Sequence, residues 1–512
     1  MLDNLIVGLV HCLEVKNLLF LVIGVFSGIV FGALPGLTAT MGLALLIPFT
    51  FVMAPDTGLI MLGGIYMGAM YGDAIPAILI NTPGTPGAIA TTFDGYPLTQ
   101  KGMAQHGLVA AAFASSYGSL LAVIILATLA PPLAMASLKF GPPEYFWLGI
   151  FGLTIIATVS QGSILKGLLA GALGLSLSMV GIAPIGGDVR LTFGFPILQG
   201  GIELIVALIG FFCLPEILSS VVGRRQCRFT KMKVTPKLSV IREVVVALIK
   251  KPVLMIRSSL IGTIVGFAPG AGGNIASMVS YNEAARWDKH PEEFGKGTIK
   301  GVAASEAANS SMAPGSLIPL LTLGIPGSPP AAVILGALMI HGMRPGADLF
   351  TIHADVVYAF IVSLALAAFL VTIIGSLGSF VFARIINIPA RFLAPVIIFM
   401  TVLGSYAIRN NMFDVWVMFF FGLVGFISNR LKFHPAPIVL GLILGPFIEM
   451  GLVQSYLVGS AKGGIVQYMV FRPISLVLIG LCLMSALWPV FASMRMKKLL
   501  RTAPPSTTEC PR

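Results

Sequence analysis

Residues 72–88 read G-D-A-I-P-A-I-L-I-N-T-P-G-T-P-G-A, and residues 315–331 read G-S-L-I-P-L-L-T-L-G-I-P-G-S-P-P-A. Aligned without gaps, they share Gly72/Gly315, Ile75/Ile318, Pro76/Pro319, Pro83/Pro326, Gly84/Gly327, Pro86/Pro329 and Ala88/Ala331, with Thr85 facing Ser328. Proline removes a backbone donor and glycine admits positive φ, so each stretch breaks a helix. Both lie in strongly apolar surroundings. At membrane depth, broken backbone is tolerated only where protein or a water-filled cavity satisfies its polar groups.

The composition supports that setting. The chain is 56% hydrophobic and 10% charged over 512 residues, with a mean hydropathy of +0.95. A soluble surface calls for charge on roughly 25% of residues. Apolar runs near 17–34, 108–130, 145–160 with 163–181, 199–220, 354–382, 413–429, 436–453 and 471–493 suit a bilayer core of ~30 Å. Their continuous apolarity, without alternation, excludes a β-barrel. The expected fold is an all-α polytopic membrane protein.

A second pair of motifs extends the repeat. Residues 28–36, G-I-V-F-G-A-L-P-G, match 262–270, G-T-I-V-G-F-A-P-G, so Gly28, Gly32, Pro35 and Gly36 align with Gly262, Gly266, Pro269 and Gly270. The two alignments differ in register, and the charged loop Y-N-E-A-A-R-W-D-K-H-P-E-E-F-G-K-G at 281–297 accounts for the insertion. Glycine and proline are common in membrane helices, but that does not explain two motifs in the same order in each half. We therefore expect two homologous repeats with broken helices or re-entrant hairpins: 1–222 and 253–494. Inversion is favoured over a parallel arrangement because transporters with such hairpins usually show it.

The net charge of +12 is concentrated, not spread. Arg224, Arg225, Arg228, Lys231, Lys233, Lys237, Arg242, Lys250 and Lys251 crowd the linker 223–252, and Arg495, Lys497, Lys498 and Arg501 open the tail 495–512. Both segments follow the positive-inside pattern of cytoplasmic loops, and no nucleic acid is expected as a partner. Residues 237–251, K-L-S-V-I-R-E-V-V-V-A-L-I-K-K, read as an amphipathic surface helix. The five cysteines contain no C-x-x-C pair and the six histidines no metal-ligand spacing, so neither a disulfide framework nor zinc is suggested. The first residues lack the pattern of a removable signal peptide.

Paired breaks at matching positions of two repeats point to a transporter's binding site, where half-helix N-termini suit an anion and unwound carbonyls a cation. Candidates for substrate contact are Asn81, Thr82, Gly84, Thr85, Gly87, Gly327 and Ser328, joined by Thr38 and Asn274 at the tips after the first motif of each half. The same polar groups could simply cap helix ends, and the glycines simply shape turns. Ion-coupling candidates are Asp73, Thr322 and Glu306, the last beside Asn309, Ser310 and Ser311. An ionisable group at membrane depth is a functional hypothesis by default, though Asp73 could also be a carboxylate at a wet helix end. Its counterpart is Ser316, so its role would be asymmetric. Arg257, Arg344, Glu203 and Glu216 read more simply as interfacial or end-capping residues.

The stretches F-G-A-L-P-G-L-T-A-T-M-G-L-A-L-L-I-P-F-T-F (31–51), Y-G-D-A-I-P-A-I-L-I-N-T-P-G-T-P-G-A-I-A-T-T-F-D-G-Y-P-L (71–98), G-F-A-P-G-A-G-G-N-I-A-S-M-V-S-Y-N-E-A-A-R-W (266–287) and L-T-L-G-I-P-G-S-P-P-A-A-V-I-L-G-A-L-M-I-H-G-M-R-P-G (321–346) resemble the large membrane subunit of tripartite tricarboxylate transporters, the TctA family. The resemblance runs from about residue 16 to about 495. It implies a multi-pass protein of the bacterial inner membrane with ~12 spans. It also implies import of a small carboxylate such as citrate, coupled to Na+ or H+, with no tightly bound cofactor. A small membrane subunit and a periplasmic solute-binding protein would be partners, membrane lipid a further one, and a homodimer is left open. Alternating access would be elevator-like. A passive anion channel and a membrane-embedded enzyme are the competing classes; the enzyme would need clustered His, Glu or Asp, and the sequence shows no such cluster.

Overall fold

The structure is a computed structural model that describes residues 2–485 except 35, 160–163, 223–236, 269–271, 379–380, 383–389, 432 and 434. Pro35, Pro269 and Gly270 of the first repeated motif, most of the basic linker and the whole tail 495–512 lie outside the described residues. The chain is all-α apart from one small antiparallel pair, β1 (Gly181–Ile182) with β2 (Val189–Arg190).

The first half contains α1 (Leu2–Leu13), α2 (Val15–Ala33), α3 (Ala39–Thr50), α4 (Pro55–Gly72), α5 (Ala74–Ile80), α6 (Ile89–Gln100), α7 (Ala104–Ala136), α8 (Pro142–Val159), α9 (Ile164–Ser178) and α10 (Leu204–Val222). The second contains α11 (Leu238–Ile249), α12 (Pro252–Phe267), α13 (Gly272–Trp287), α14 (Ile299–Leu323), α15 (Pro329–Ile340), α16 (Ala347–Thr351), α17 (Ala354–Leu377), α18 (Ala390–Arg409), α19 (Met412–Arg430), α20 (Pro435–Ala461) and α21 (Ile465–Val470). Proline opens α4, α8, α12, α15 and α20, where its missing N–H costs nothing because first-turn donors have no intrahelical partner.

Among the described residues, six helices are long and apolar enough to cross a bilayer: Val15–Ala33, Pro55–Ile80, Ala104–Lys139, Ala354–Leu377, Met412–Arg430 and Pro435–Ala461. Shorter apolar helices such as α3, α12 and α15 complete the bundle. The apolar run near 199–220 becomes helical only from Leu204, because 179–203 is spent on the β-pair and a short 3-10 turn at Pro196–Gly200.

Glycine sets the tightest contacts. A Cβ on Gly28 or Gly32 of α2 would overlap the backbone of α4 at Ile65 or Ala69, and a Cβ on Gly262 or Gly266 of α12 would overlap α14 at Ala308 or Met312. In return, Gly72 abuts the Ile29 carbonyl and Gly315 the Thr263 carbonyl. Small residues let backbones approach this closely where no hydrophobic drive separates helix from lipid. Each contact of the first half recurs in the second at the positions that the two sequence alignments pair.

Packing crosses between the halves as well. The long helix α7 lies against α14, and α17 lies against α4. Gly118 sits on the Ala307 backbone, and Gly63 faces the side chains of Phe360 and Leu364. The short helices take matching places: α1 rests on α17, where the Cys12 thiol donates to the Ala359 carbonyl at 3.0 Å. The amphipathic helix expected at 237–251 is α11, which rests on α7 through a two-way bond between Gln105 and the Lys237 backbone at 3.0 and 3.1 Å. Further out, α8 and α9 pack on α20, and α10 packs on α18, α19 and α3.

Candidate functional site

Both helix breaks have the same construction. In the first, α5 ends at Asn81 in the left-handed region (φ 54°), and the chain folds back so that the Gly84 N–H donates to the Asp73 carbonyl at 3.2 Å. In the second, α14 ends at Gly324 (φ 73°), and the Gly327 N–H donates to the Ser316 carbonyl at 3.3 Å. The Thr82 N–H reaches the Pro76 carbonyl at 3.3 Å, and the Ile325 N–H reaches the Pro319 carbonyl at 3.2 Å. These bonds pin each returning segment against the helix it has just left.

The chain then re-enters helix at Thr85 and at Ser328. The Thr85 hydroxyl accepts from the Gly87 N–H at 3.2 Å, and the Ser328 hydroxyl from the Ala331 N–H at 3.3 Å. They are N-caps, as the simpler reading held. Yet each also faces the helix it left: Thr85 donates to the Asp73 carboxylate, and Ser328 bonds the Ser316 hydroxyl at 3.1 Å. Each cap therefore reaches back to the residue twelve positions before it.

Each break is completed by the opposite half. Asn309 of α14 donates through Nδ2 to both Asp73 oxygens and to the Met70 carbonyl, all at 3.3 Å. Tyr66 of α4 places its hydroxyl 3.1 Å from Ser316 and 2.9 Å from Ser328. Moving along α4 from Tyr66 to Met70 and Asp73, the partners on α14 run backward from Ser316 to Asn309. The two helices therefore cross antiparallel. Tyr66 and Asp73 stand ~10 Å apart along α4 at 1.5 Å per residue.

The two clusters differ in charge. Asp73 and Glu306 are fully buried. Glu306 accepts from Thr91 and, at 3.4 Å, from Ser115, while Thr91 also meets Ser305 at 2.9 Å. Asn309 is within reach of Glu306 as well as Asp73. Around Tyr66, Ser316 and Ser328 the polar groups are neutral hydroxyls.

Of the sequence candidates, the structure gathers Asp73, Gly84, Thr85, Gly87 and Glu306 at the first break and Gly327 and Ser328 at the second. Gly87 lies against the Asn309 side chain, as does Gly273, the neighbour of Asn274. Others are engaged locally. Thr38 caps α3 by accepting from the Met41 N–H at 3.2 Å, and Thr82 bonds the Ile80 carbonyl at 3.3 Å. Asn81 is an exposed helix stop. Thr322 donates to the Ile318 carbonyl of its own helix at 2.7 Å. Tyr66 is the residue that motif reading passed over; its signal was there, since the register pairing Asp73 with Ser316 also pairs Tyr66 with Asn309.

Other buried or paired charges are structural. The Asp94 carboxylate accepts from the Gly297 and Thr298 N–H groups at 2.7 and 3.0 Å and from the Tyr281 hydroxyl at 2.9 Å, tying α6 to the charged loop. Lys300, in the first turn of α14, bridges Asp288 at 2.9 Å and Glu293 at 2.8 Å of that loop. Burial works against the Asp288 charge, but hydrogen bonds from the His290 N–H and Lys300 hold its carboxyl below the usual range. Glu203 pairs with Arg409. Glu144, fully buried, is met by Arg472 at 3.0 Å.

A bundle of apolar helices, with two sharp breaks that fold back onto buried polar groups, defines a multi-pass membrane protein built as transporters are built. Sequence comparison makes the assignment specific. The chain belongs to the tripartite tricarboxylate transporter TctA family, which matches it over residues 18–440. That family contributes the large subunit to systems that also have a small membrane component and a periplasmic binding protein. The chain is 38% identical over 500 residues to an uncharacterized 52.8 kDa protein from the TAR-I ttuC' 3' region of Agrobacterium vitis, covering 97% of this chain and 98% of that one. It is 36% identical over 237 residues to an uncharacterized protein from the TAR-II ttuC' 3' region of the same organism, covering 46% of this chain and 97% of that one. No solved structure matches it.

Proposed function

We propose that this chain imports a small di- or tricarboxylate across the bacterial inner membrane as the permease of a binding-protein-dependent secondary transporter driven by Na+ or H+. The observation that carries the reading is the crossing of α4 and α14, against which the capping hydroxyls Thr85 and Ser328 of both breaks fold back. The helix N-termini that follow Thr85 and Ser328 present a positive dipole end beside capping hydroxyls, an environment that suits a carboxylate.

The halves are read as inverted repeats. Support comes from the matching contacts of α2 with α4 and of α12 with α14, and from the antiparallel crossing. Helices related by an axis normal to the membrane would run the same way; those related by an axis in its plane run oppositely. Alternating access then moves one packed group of helices against the other, with the break-bearing bundle as the moving unit of an elevator.

The test is uptake of labelled carboxylate into proteoliposomes holding the complete tripartite system. Thr85→Val and Ser328→Val should each lower initial uptake at least ~10-fold, the loss of one hydrogen bond to a charged group. Uptake at wild-type rates in both variants, at equal protein, would sink the proposal.

A further inference from the structure

The segment between α9 and α10 turns apolar side chains outward. Ile182 and Val189 of the β-pair, Leu191 and Ile197 are exposed, and Phe193 and Phe195 reach 79% and 59% exposure. Leu191 and Phe193 have φ of 53° and 49°. Bulky side chains adopt that left-handed backbone only where the surroundings impose it, and such strain collects at functional positions. The segment then leads into a cavity of about 20 Å3 whose lining includes Ile197, Leu198, Glu203, Arg409, Asn411 and Asp414. That is room for one water-sized group. Asp414 is only 5% exposed, and its Oδ2 lies buried with no hydrogen-bond partner.

Charge narrows what fits here. Both arginines of this face are already paired, Arg190 with Glu449 at 2.7 Å and Arg409 with Glu203. Neither Asp188 nor Asp414 forms an ion pair among the described residues. The unbalanced charge is therefore negative. The face also lies away from the basic linker. Glu203 stands at the start of α10, whose other end, Val222, comes just before Arg224 and Arg225. Alongside it α19 runs in the same direction, with Gly210 against Met418 and Gly425 against Pro215. Arg430 at the far end of α19 and Lys166, which donates to the Leu431 carbonyl at 2.7 Å, join the basic side. Basic ends stay in the cytoplasm, and 181–197 belongs to the opposite face.

We propose that the apolar turn 189–197, with the Asp414 cavity at its base, is the docking surface for a water-soluble protein on the side away from the cytoplasm. That partner covers Phe193 and Phe195 with an apolar patch and inserts one lysine, whose ammonium enters the cavity. The ammonium has the size of the cavity, and it brings the charge and the donor that Asp414 Oδ2 lacks. Anionic lipid headgroups would meet uncompensated carboxylates. A second copy docking through the same face would only add more of them, because a two-fold interface sets one patch against itself. The proposal rests on the transporter reading for the partner's identity, the periplasmic binding protein of the tripartite system.

The test measures the affinity of that purified binding protein for the membrane complex in nanodiscs. Phe193→Ser, at an exposed side chain, and Asp414→Asn, an isosteric change, should each weaken binding at least ~10-fold, as for an interface anchor. In Asp414→Asn the loss of affinity with added salt should also flatten. Trp287→Ser, at an exposed aromatic next to Asp288, which feels the charge of Lys251 on the basic side, should bind as wild type. A benzophenone amino acid incorporated at position 193 should form its adduct with the binding protein on irradiation. An adduct with lipid alone, or with a second copy of this chain, overturns the surface. Unchanged affinity in both Phe193→Ser and Asp414→Asn, in a complex that takes up carboxylate, overturns the surface and keeps the transporter. Binding lost in both variants, with no carboxylate uptake by the wild-type complex under any ion gradient, supports the surface and discards the transporter.

Discussion

At residue scale the fold rests on glycines facing carbonyls. Gly266 has no space for a methyl group, because its Cβ would enter the Met312 backbone of α14. Gly266→Ala should therefore cost about 1–3 kcal/mol through forced separation of α12 and α14, read as a lower unfolding temperature in detergent. Gly480→Ala, in the apolar helix Pro473–Ser485, is the contrast: its Cβ would meet nothing within 4 Å, so it should be neutral or slightly stabilising by helix propensity. Equal destabilisation by both would mean that the close approach does not set stability. Gly28, Gly32, Gly262 and Gly266 were visible in the sequence as a repeated pattern. The carbonyls they meet were not, because the facing residue lies on another helix and follows no local rule.

At the scale of elements, the first broken helix is held from outside its own half. Asp94 on α6 receives two backbone N–H groups and a phenol from the segment 281–298. Removing it leaves two half-buried N–H groups and a buried phenol without partners, so Asp94→Ala should destabilise by about 2–4 kcal/mol, while Tyr281→Phe, which loses one bond, should cost about 1 kcal/mol. Hydrogen exchange at the Gly297 and Thr298 amides should rise in Asp94→Ala and stay near wild type in Tyr281→Phe; protection unchanged in Asp94→Ala would refute the tie. The sequence marked 281–297 as an insertion between the motifs of the second half. It gave no sign that a side chain of the first half holds this loop, because that contact spans long chain separation and depends on how the halves cross.

At the scale of the whole molecule, inversion makes a prediction about sides. The short helices α1 and α11 take equivalent places, yet α11 is flanked by Lys237, Lys250 and Lys251 while α1 carries Asp3 and is followed by Glu14. Basic flanks stay in the cytoplasm, so under inversion α1 would lie on the opposite face. Single cysteines replacing Asp3 and Ser239, in a background without native cysteines, should react with an impermeant maleimide from opposite sides of sealed vesicles. Labelling of both from one side would exclude inversion. The sequence alone determined that the chain is a polytopic helical membrane protein with two matched breaks. Hydropathy, proline and glycine act locally, and a motif of that length keeps its meaning wherever the chain places it. Which break carries the carboxylate was also legible, as Asp73 against Ser316. Only the tertiary structure decided that each break is completed by the other half, Asn309 reaching Asp73 and Tyr66 reaching Ser316 and Ser328. It also decided that Thr322 turns back onto its own helix, out of the cluster. Those outcomes depend on the antiparallel crossing of α4 and α14, a relation between distant segments that no local pattern of residues encodes.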